Sequence, residues 1–280
     1  MLSPLGALVR RHDPDRFLCA LFAPEPLRER LFVLYAFNHE LARAREAASV
    51  PMLALIRLQW WREVVEGARR SHEVASPLLD AIEAGAFDRA ALLALVEARE
   101  VEADDAIPTL DAWRDHVLAG AGGLAAEAAR CLGGTRAATG GPGAAEGPGA
   151  AEDPGVGEAA RALGAAYGVA GMLRSVAALA RQGRCLLPED VLARHGLDRD
   201  AVIASPGAPG MDEVRVALAA QGRALLRQGA ALRLPRRVMA AVLPAALARR
   251  DLRRGGANEA GPRSLGDRLA VTLAAAAGRV

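Results

Sequence analysis

LRERLFVLYAFNHELARARE, residues 27–46, decides the fold class. Leu27, Leu31, Leu34, Tyr35, Asn38 and Leu41 recur at i, i+3, i+4 and i+7, the spacing that places side chains on one face of an α-helix. The pattern repeats outward from this stretch. Pro51, a good first-turn residue, opens a second helix from about Met52 to Arg70. Further helical stretches are expected at roughly 76–84, 88–103, 109–132, 157–181, 211–230, 235–254 and 264–278. No segment alternates with β-branched residues over strand length. The sequence therefore predicts an all-α protein.

The chain has 280 residues, enough to bury a sizeable core. We expect one domain over 1–280. Two breaks interrupt the helical pattern. Residues 133–157 contain GPGAAE twice in succession and read as a flexible inter-helix loop, since Gly/Pro/Ala sequence neither holds a helix nor packs. ASPGAPG at 204–210 is a shorter break.

All 35 basic residues are arginine, a coding bias that lowers the information in any single arginine. A net charge of +2 is too small to argue for nucleic acid, and aromatic and basic residues do not interleave. Cys19, Cys131 and Cys185 are far apart and odd in number, so they read as isolated core thiols in a reducing compartment. The apolar start MLSPLGALVRR carries its arginines after the apolar run, unlike a secretory signal. No apolar run of about 18 residues is visible, so no transmembrane helix is expected. These features imply a cytoplasmic protein, with peripheral contact at the inner membrane left open. Arg236-Arg237, Arg249-Arg250 and Arg253-Arg254 make the last third basic. A solvated helix face is the plainer reading of those pairs, and contact with an anionic surface is the alternative.

Three pieces together resemble the squalene/phytoene synthase superfamily. They are DRFLCALFAPEPLRERLFVLYAFNHE at 15–40, RLQWWREVVEG at 57–67 and LGAAYGVAGMLRSVAALARQGRCLLPEDVL at 163–192. Order and distances match, and the resemblance covers roughly 13–235. It implies an isoprenoid synthase fold, one large helical bundle around a central cavity. In catalytic members of the superfamily two facing helices carry acids that bind Mg²⁺, and the ions bind two allylic diphosphates. Hard cations offset the charge of the leaving diphosphate, and i, i+4 carboxylates on one helix face form half of such a clamp.

The acids are missing at the matching positions. Where the first motif would read Asp-Asp-x-x-Asp, this chain has Ala42, Arg43 and Glu46. Arg43 is expected to pair with Glu40 or Glu46. Across the second motif the matching positions are Gly168, Gly171, Arg174, Ser175, Ala178 and Leu179, of which only the arginine persists. Gly171, Ser175 and Leu179 share one face without a carboxylate. We expect no catalytic residue and no metal ligand, and hence no cofactor. Ala42, Ser175 and Leu179 read as ordinary packing residues.

Ala36-Phe37-Asn38-His39-Glu40-Leu41-Ala42 and Ile56-Arg57-Leu58-Gln59-Trp60-Trp61-Arg62 resemble a degenerate subgroup within the superfamily, that of the mitochondrial respiratory complex I assembly factor. The resemblance implies a non-catalytic role with complex I subunits or assembly factors as protein partners. Two alternatives remain. One is a divergent head-to-head prenyl transferase of squalene/phytoene synthase type, which would require Mg²⁺. The other is a metal-free binder of an anionic isoprenoid or phospholipid, suggested by Arg43, Arg45 and Arg174.

Tyr35, Phe37, His39, Arg43, Gln59, Trp60 and Arg174 are the candidates to line a residual cavity. Of Trp60 and Trp61, one should be core and the other partly exposed, because adjacent helical residues diverge by about 100°. His39 could act as a base, but a surface or capping histidine is the plainer reading. Asp104-Asp105 reads as a helix-to-helix lead. Asp111 and Asp115 have half-clamp spacing on a helix without an acidic motif.

Overall fold

A computed structural model describes residues 2–46, 48, 50–103, 106–133, 154–254 and 261–280. Among them the chain forms α1 (Pro4–His12), α2 (Pro14–Ala20), α3 (Glu25–Glu46), α4 (Pro51–Glu66), α5 (Ala75–Glu83), α6 (Arg89–Glu100), α7 (Leu110–Val117), α8 (Gly123–Gly133) and α9 (Pro154–Ala180). The second half adds α10 (Glu189–Arg194), α11 (Arg199–Ala204), α12 (Met211–Ala230), α13 (Met239–Val242), α14 (Pro244–Arg253) and α15 (Leu265–Ala277). The only β feature among the described residues is an isolated bridge between Ile107 and Pro188.

Local chemistry explains many of the boundaries. Ser3 and Asp13 accept the backbone N–H groups of Gly6 and Arg16, and a proline follows each cap, so two short helices form in succession at the N-terminus. The periodicity reading did not anticipate these helices. Asp88, Thr109 and Asp198 cap α6, α7 and α11 in the same way. Ser264 and Asp267 form a reciprocal capping box at the start of α15.

The helix expected over 235–254 is broken into a 3₁₀ turn at Arg236–Val238, α13 and α14. Pro244 has no N–H to donate and restarts the helix at its own first turn. The helix expected over 109–132 contains a five-residue π-helical stretch, Leu118–Gly122. The anticipated loop at 133–157 is shorter: Gly133 ends α8, Pro154–Gly157 begin α9, and 134–153 lie outside the described residues.

Helix α9 is the hub and packs on α8, α12 and α14. A Cβ on Gly164 would lie 2.3 Å from the Ala125 Cβ and 2.6 Å from the Ala121 carbonyl oxygen, so only glycine permits this approach to α8. Contrary to the expectation of no such run, Gly155–Ala180 is long and apolar enough to cross a membrane by length and composition, with 50% of its most apolar window buried inside the protein. An Ala- and Gly-rich core helix meets that criterion because it is apolar on nearly every face. One connected set of buried side chains runs from Leu5 to Val271.

A buried ionic cluster joins distant parts of the bundle. The Arg99 guanidinium donates to the Glu102 carboxylate at 2.6 Å and to the Asn38 side-chain oxygen at 3.1 Å. His116 Nε2 lies 3.6 Å from Glu102, and Arg184 donates to the Glu102 carbonyl. Burial pushes the Glu102 carboxyl up, but Arg99, His116 and Arg184 outweigh it and hold it below the ordinary range. Burial lowers the His116 pKa despite Glu102. Both shifts act with one sign. A depressed carboxyl stabilises the fold above its unfolded pKa, and a depressed histidine stabilises it above about 6.5; both contributions are lost on acidification. We expect a melting temperature that is level above about pH 7, falls below about pH 6.5 as His116 charges, and falls further from about pH 4.5 toward pH 3 as Glu102 is protonated. In Glu102→Gln it should start lower at neutral pH and lose less below about pH 4.5, where the parent's Glu102 takes up its proton. Thermal melts across that range check this, and equal acid limbs in the two proteins would remove Glu102 as the cause.

Candidate functional site

The two motif helices do not face each other across an open space. Helix α3 packs on α1, α2, α4, α5, α6 and α8, and it scarcely touches α9. Arg16 of α2 fills the gap: its guanidinium carbon lies 5.8 Å from the Tyr35 ring centre and 4.9 Å from that of Tyr167. The void left among these residues is about 10 Å³, hardly room for one water and far below the size of a ligand pocket.

Tyr35 and Phe37, candidates for cavity lining, are buried in the core, Tyr35 on the lining of that void of about 10 Å³. Phe37 packs edge-on against Trp61, with ring centres 5.5 Å apart. Trp61 is buried and Trp60 half-exposed, the division that helical geometry requires. Gln59 is exposed on the surface of α4.

Of the first motif's positions, Arg43 lines a 360 Å³ cavity together with Glu40, Arg57, Trp60, Trp61 and His72. Arg43 is exposed and donates to Glu40 at 3.0 Å, one of the two pairings expected for it. Ala42 is half-buried and Glu46 exposed. His39 stacks on His12 with ring centres 4.2 Å apart. Burial and the neighbouring His12 lower its pKa, so it is neutral at pH 7 and has a ring as its neighbour.

The second motif's positions border a different and larger cavity of 930 Å³, walled by α1, α2, α9 and the 261–268 segment. Gly171, Arg174 and Ser175 line it. Ser175 donates its hydroxyl hydrogen to the Gly171 carbonyl at 2.8 Å, so it is satisfied within its own helix. Ala178 and Leu179 are half-buried; Leu179 lines a separate void of about 10 Å³ beside Cys185.

Here the structure assembles groups that the sequence did not single out. Arg263 donates to Asp15 at 2.7 Å and to both Asp251 oxygens at 2.9 and 2.8 Å. The Tyr167 hydroxyl donates to Asp15 at 2.9 Å. Arg174 lies 3.5 Å from Asp251 and donates to the Gly261 carbonyl at 3.2 Å. Its Nε is buried without a hydrogen-bond partner among the described residues. Asp13, beside this set, holds Arg16 at 2.7 Å. Asp15 and Asp251 against Arg174 and Arg263 balance to zero, while Arg10 and Arg268 on the same lining leave the mouth positive. Phe17, Leu18 and Leu21 make one wall apolar.

The donor set does not suit Mg²⁺. Of the carboxylates on this lining, Asp13 is taken by Arg16 and Asp15 by Arg263, which also holds the adjoining Asp251. A divalent ion needs several free oxygen ligands and would have to displace that guanidinium. Among the described residues no three His, Cys, Asp or Glu side chains group as a metal site. Asp111 and Asp115 are both exposed on α7, and Asp104-Asp105 lie outside the described residues. Burial pushes the Cys19 thiol and the Tyr167 hydroxyl well up, so neither is a ready nucleophile or base.

Helix order and packing define an all-α protein of the isoprenoid synthase fold. The chain belongs to the squalene/phytoene synthase family, whose profile matches residues 9–273. A squalene synthase, HpnC from Alicyclobacillus acidocaldarius, superposes with a TM-score of 0.66 at 18% identity, covering 98% of this chain and 92% of that one. A dehydrosqualene synthase solved with a ligand gives 0.77 at 14% identity, with 98% and 94% coverage. Two sequence relatives carry a different description. The complex I assembly factor 6 homolog of Drosophila melanogaster is 27% identical over 212 residues, 71% of this chain and 58% of that protein. NADH dehydrogenase (ubiquinone) complex I assembly factor 6 of Homo sapiens is 33% identical over 102 residues, 35% of this chain and 31% of that protein. The matched region thus spans between about a third and three-fifths of these relatives.

Proposed function

We propose that this protein is a non-catalytic member of its family that acts in assembly of respiratory complex I, through contact with complex I subunits or other assembly factors at the inner membrane. The observation that carries the reading is the residue set at the two motif positions. Ala42, Arg43, Glu46, Gly171, Ser175, Ala178 and Leu179 offer one carboxylate where a diphosphate-bound metal cluster needs several. Relatives named for complex I assembly point the same way. Deleting the gene should lower NADH:quinone oxidoreductase activity and the amount of intact complex I on native gels. Unchanged complex I in the deletion strain would sink this reading.

Purified protein incubated with farnesyl or geranylgeranyl diphosphate and Mg²⁺ should release no diphosphate above a protein-free control. Release that depends on the protein would establish prenyl transfer in its place. A second reading, binding of an anionic isoprenoid or phospholipid without metal, is supported by the 930 Å³ cavity and the unpartnered Arg174 Nε. Mass spectrometry of lipids extracted from the purified protein should then find an anionic lipid in near-stoichiometric amount. Its absence, with the parent's melting temperature unmoved by added anionic lipid, would count against it.

A further inference from the structure

Helix α15 packs on α14 and buries Val271 and Asp267, while its leucines at 265, 269 and 273 are exposed. Leu265, Leu269 and Leu273 are 74%, 52% and 68% exposed. They follow at i, i+4 and i+8, so they stand one above another along the outer face. Exposed leucines scattered singly need no explanation, but three in a row on one helix mark a surface that expects a neighbour.

Charge identifies the neighbour. Residues 231–280 hold ten arginines and three acids, in a chain whose whole net charge is only +2. The two described acids of that stretch, Asp251 and Asp267, are buried and paired to arginine. Arg250 and Arg254 reach Asp267 at one end of α15, and Arg236 lies beside Gly278 at the other. Arg268 and Arg279 are exposed on the flank of the leucine row. An apolar stripe edged by arginine, with acids turned inward, matches an anionic bilayer: the leucines enter the headgroup boundary and the guanidinium groups meet phosphate.

We propose that α15 docks this protein on an anionic phospholipid surface through Leu265, Leu269 and Leu273 and the arginines around them. Docking of this kind goes beyond the assembly reading and stands without it.

The test uses the full chain and extruded vesicles of phosphatidylglycerol mixed with phosphatidylcholine, against phosphatidylcholine alone. The parent protein should float with the anionic vesicles, far less with the neutral ones, and lose binding as salt rises. Leu265→Asn, Leu269→Asn and Leu273→Asn together should weaken partition at least about tenfold, with the melting temperature unchanged because all three side chains are exposed. A direct positional readout is available, since Cys19, Cys131 and Cys185 are buried. An environment-sensitive dye on Leu269→Cys should shift to the blue on anionic vesicles. No flotation of the parent, flotation of the triple variant equal to the parent, or a dye unmoved by vesicles would each overturn the proposal. So would a parent dimer that the triple variant converts to monomer with no vesicle binding by either, which would assign the face to a second copy of the chain.

Discussion

Arg263→Met is expected to lower the melting temperature by roughly 10 °C, corresponding to about 3–5 kcal/mol for breaking a buried charge pair in a chain of this size. Arg263 is nearly enclosed and binds Asp15 and Asp251 together. Removing it leaves two carboxylates facing each other in low dielectric, with only Arg174 and the Tyr167 hydroxyl close by. The loss is mostly the penalty of those orphaned charges and less the worth of the pair itself. A triple variant that adds Asp15→Asn and Asp251→Asn should therefore recover a good part of the loss. Thermal denaturation of the three proteins reads this out. If Arg263→Met melts within a degree or two of the parent, the network is not structural. If the triple variant is worse than the single, burial of charge is the wrong cause.

Gly164→Val should be comparably severe, about 3 kcal/mol or more, because overpacking against backbone cannot be relieved by a rotamer change. The added Cβ would sit 2.6 Å from the Ala121 carbonyl oxygen and 2.3 Å from the Ala125 Cβ, so α8 and α9 must separate. Gly171→Ala, on the same helix, is the contrast. Nothing lies within 4 Å of its Cβ position, and replacing a mid-helix glycine should gain up to about 1 kcal/mol. Denaturant midpoints of the two variants give the comparison. Equal effects would mean that helix propensity, and not the α8–α9 approach, governs these glycines.

Helix α3 shows how far the sequence carried. Its leucines at 27, 31, 34 and 41 made the helix plain, because the 3.6-residue period is written in neighbours a few positions apart. The Arg43–Glu40 pair and the unequal burial of Trp60 and Trp61 follow from the same local geometry. Local rules missed α1 and α2, which are short and owe their existence to caps and prolines, and they missed the break at Pro244. The cavity candidates divided. Arg43 and Trp60 line one cavity and Arg174 another, while Tyr35 and Phe37 went to the core and Gln59 to the surface. A residue's place on its own helix does not say which other helix will cover it.

Helical class and family were legible in the sequence alone, since each depends on residue identity at short spacing. The tertiary structure decided which charged groups meet between the helices. Arg16 closes the space between Tyr35 and Tyr167, and Arg263 holds Asp251, 12 residues away, together with Asp15, 248 residues away. With 35 arginines and no lysine, composition could not mark those two out. Only the packing of α2 and the 261–263 segment against α9 and α14 brings their partners within reach, and charge pairing is a matter of distance in space.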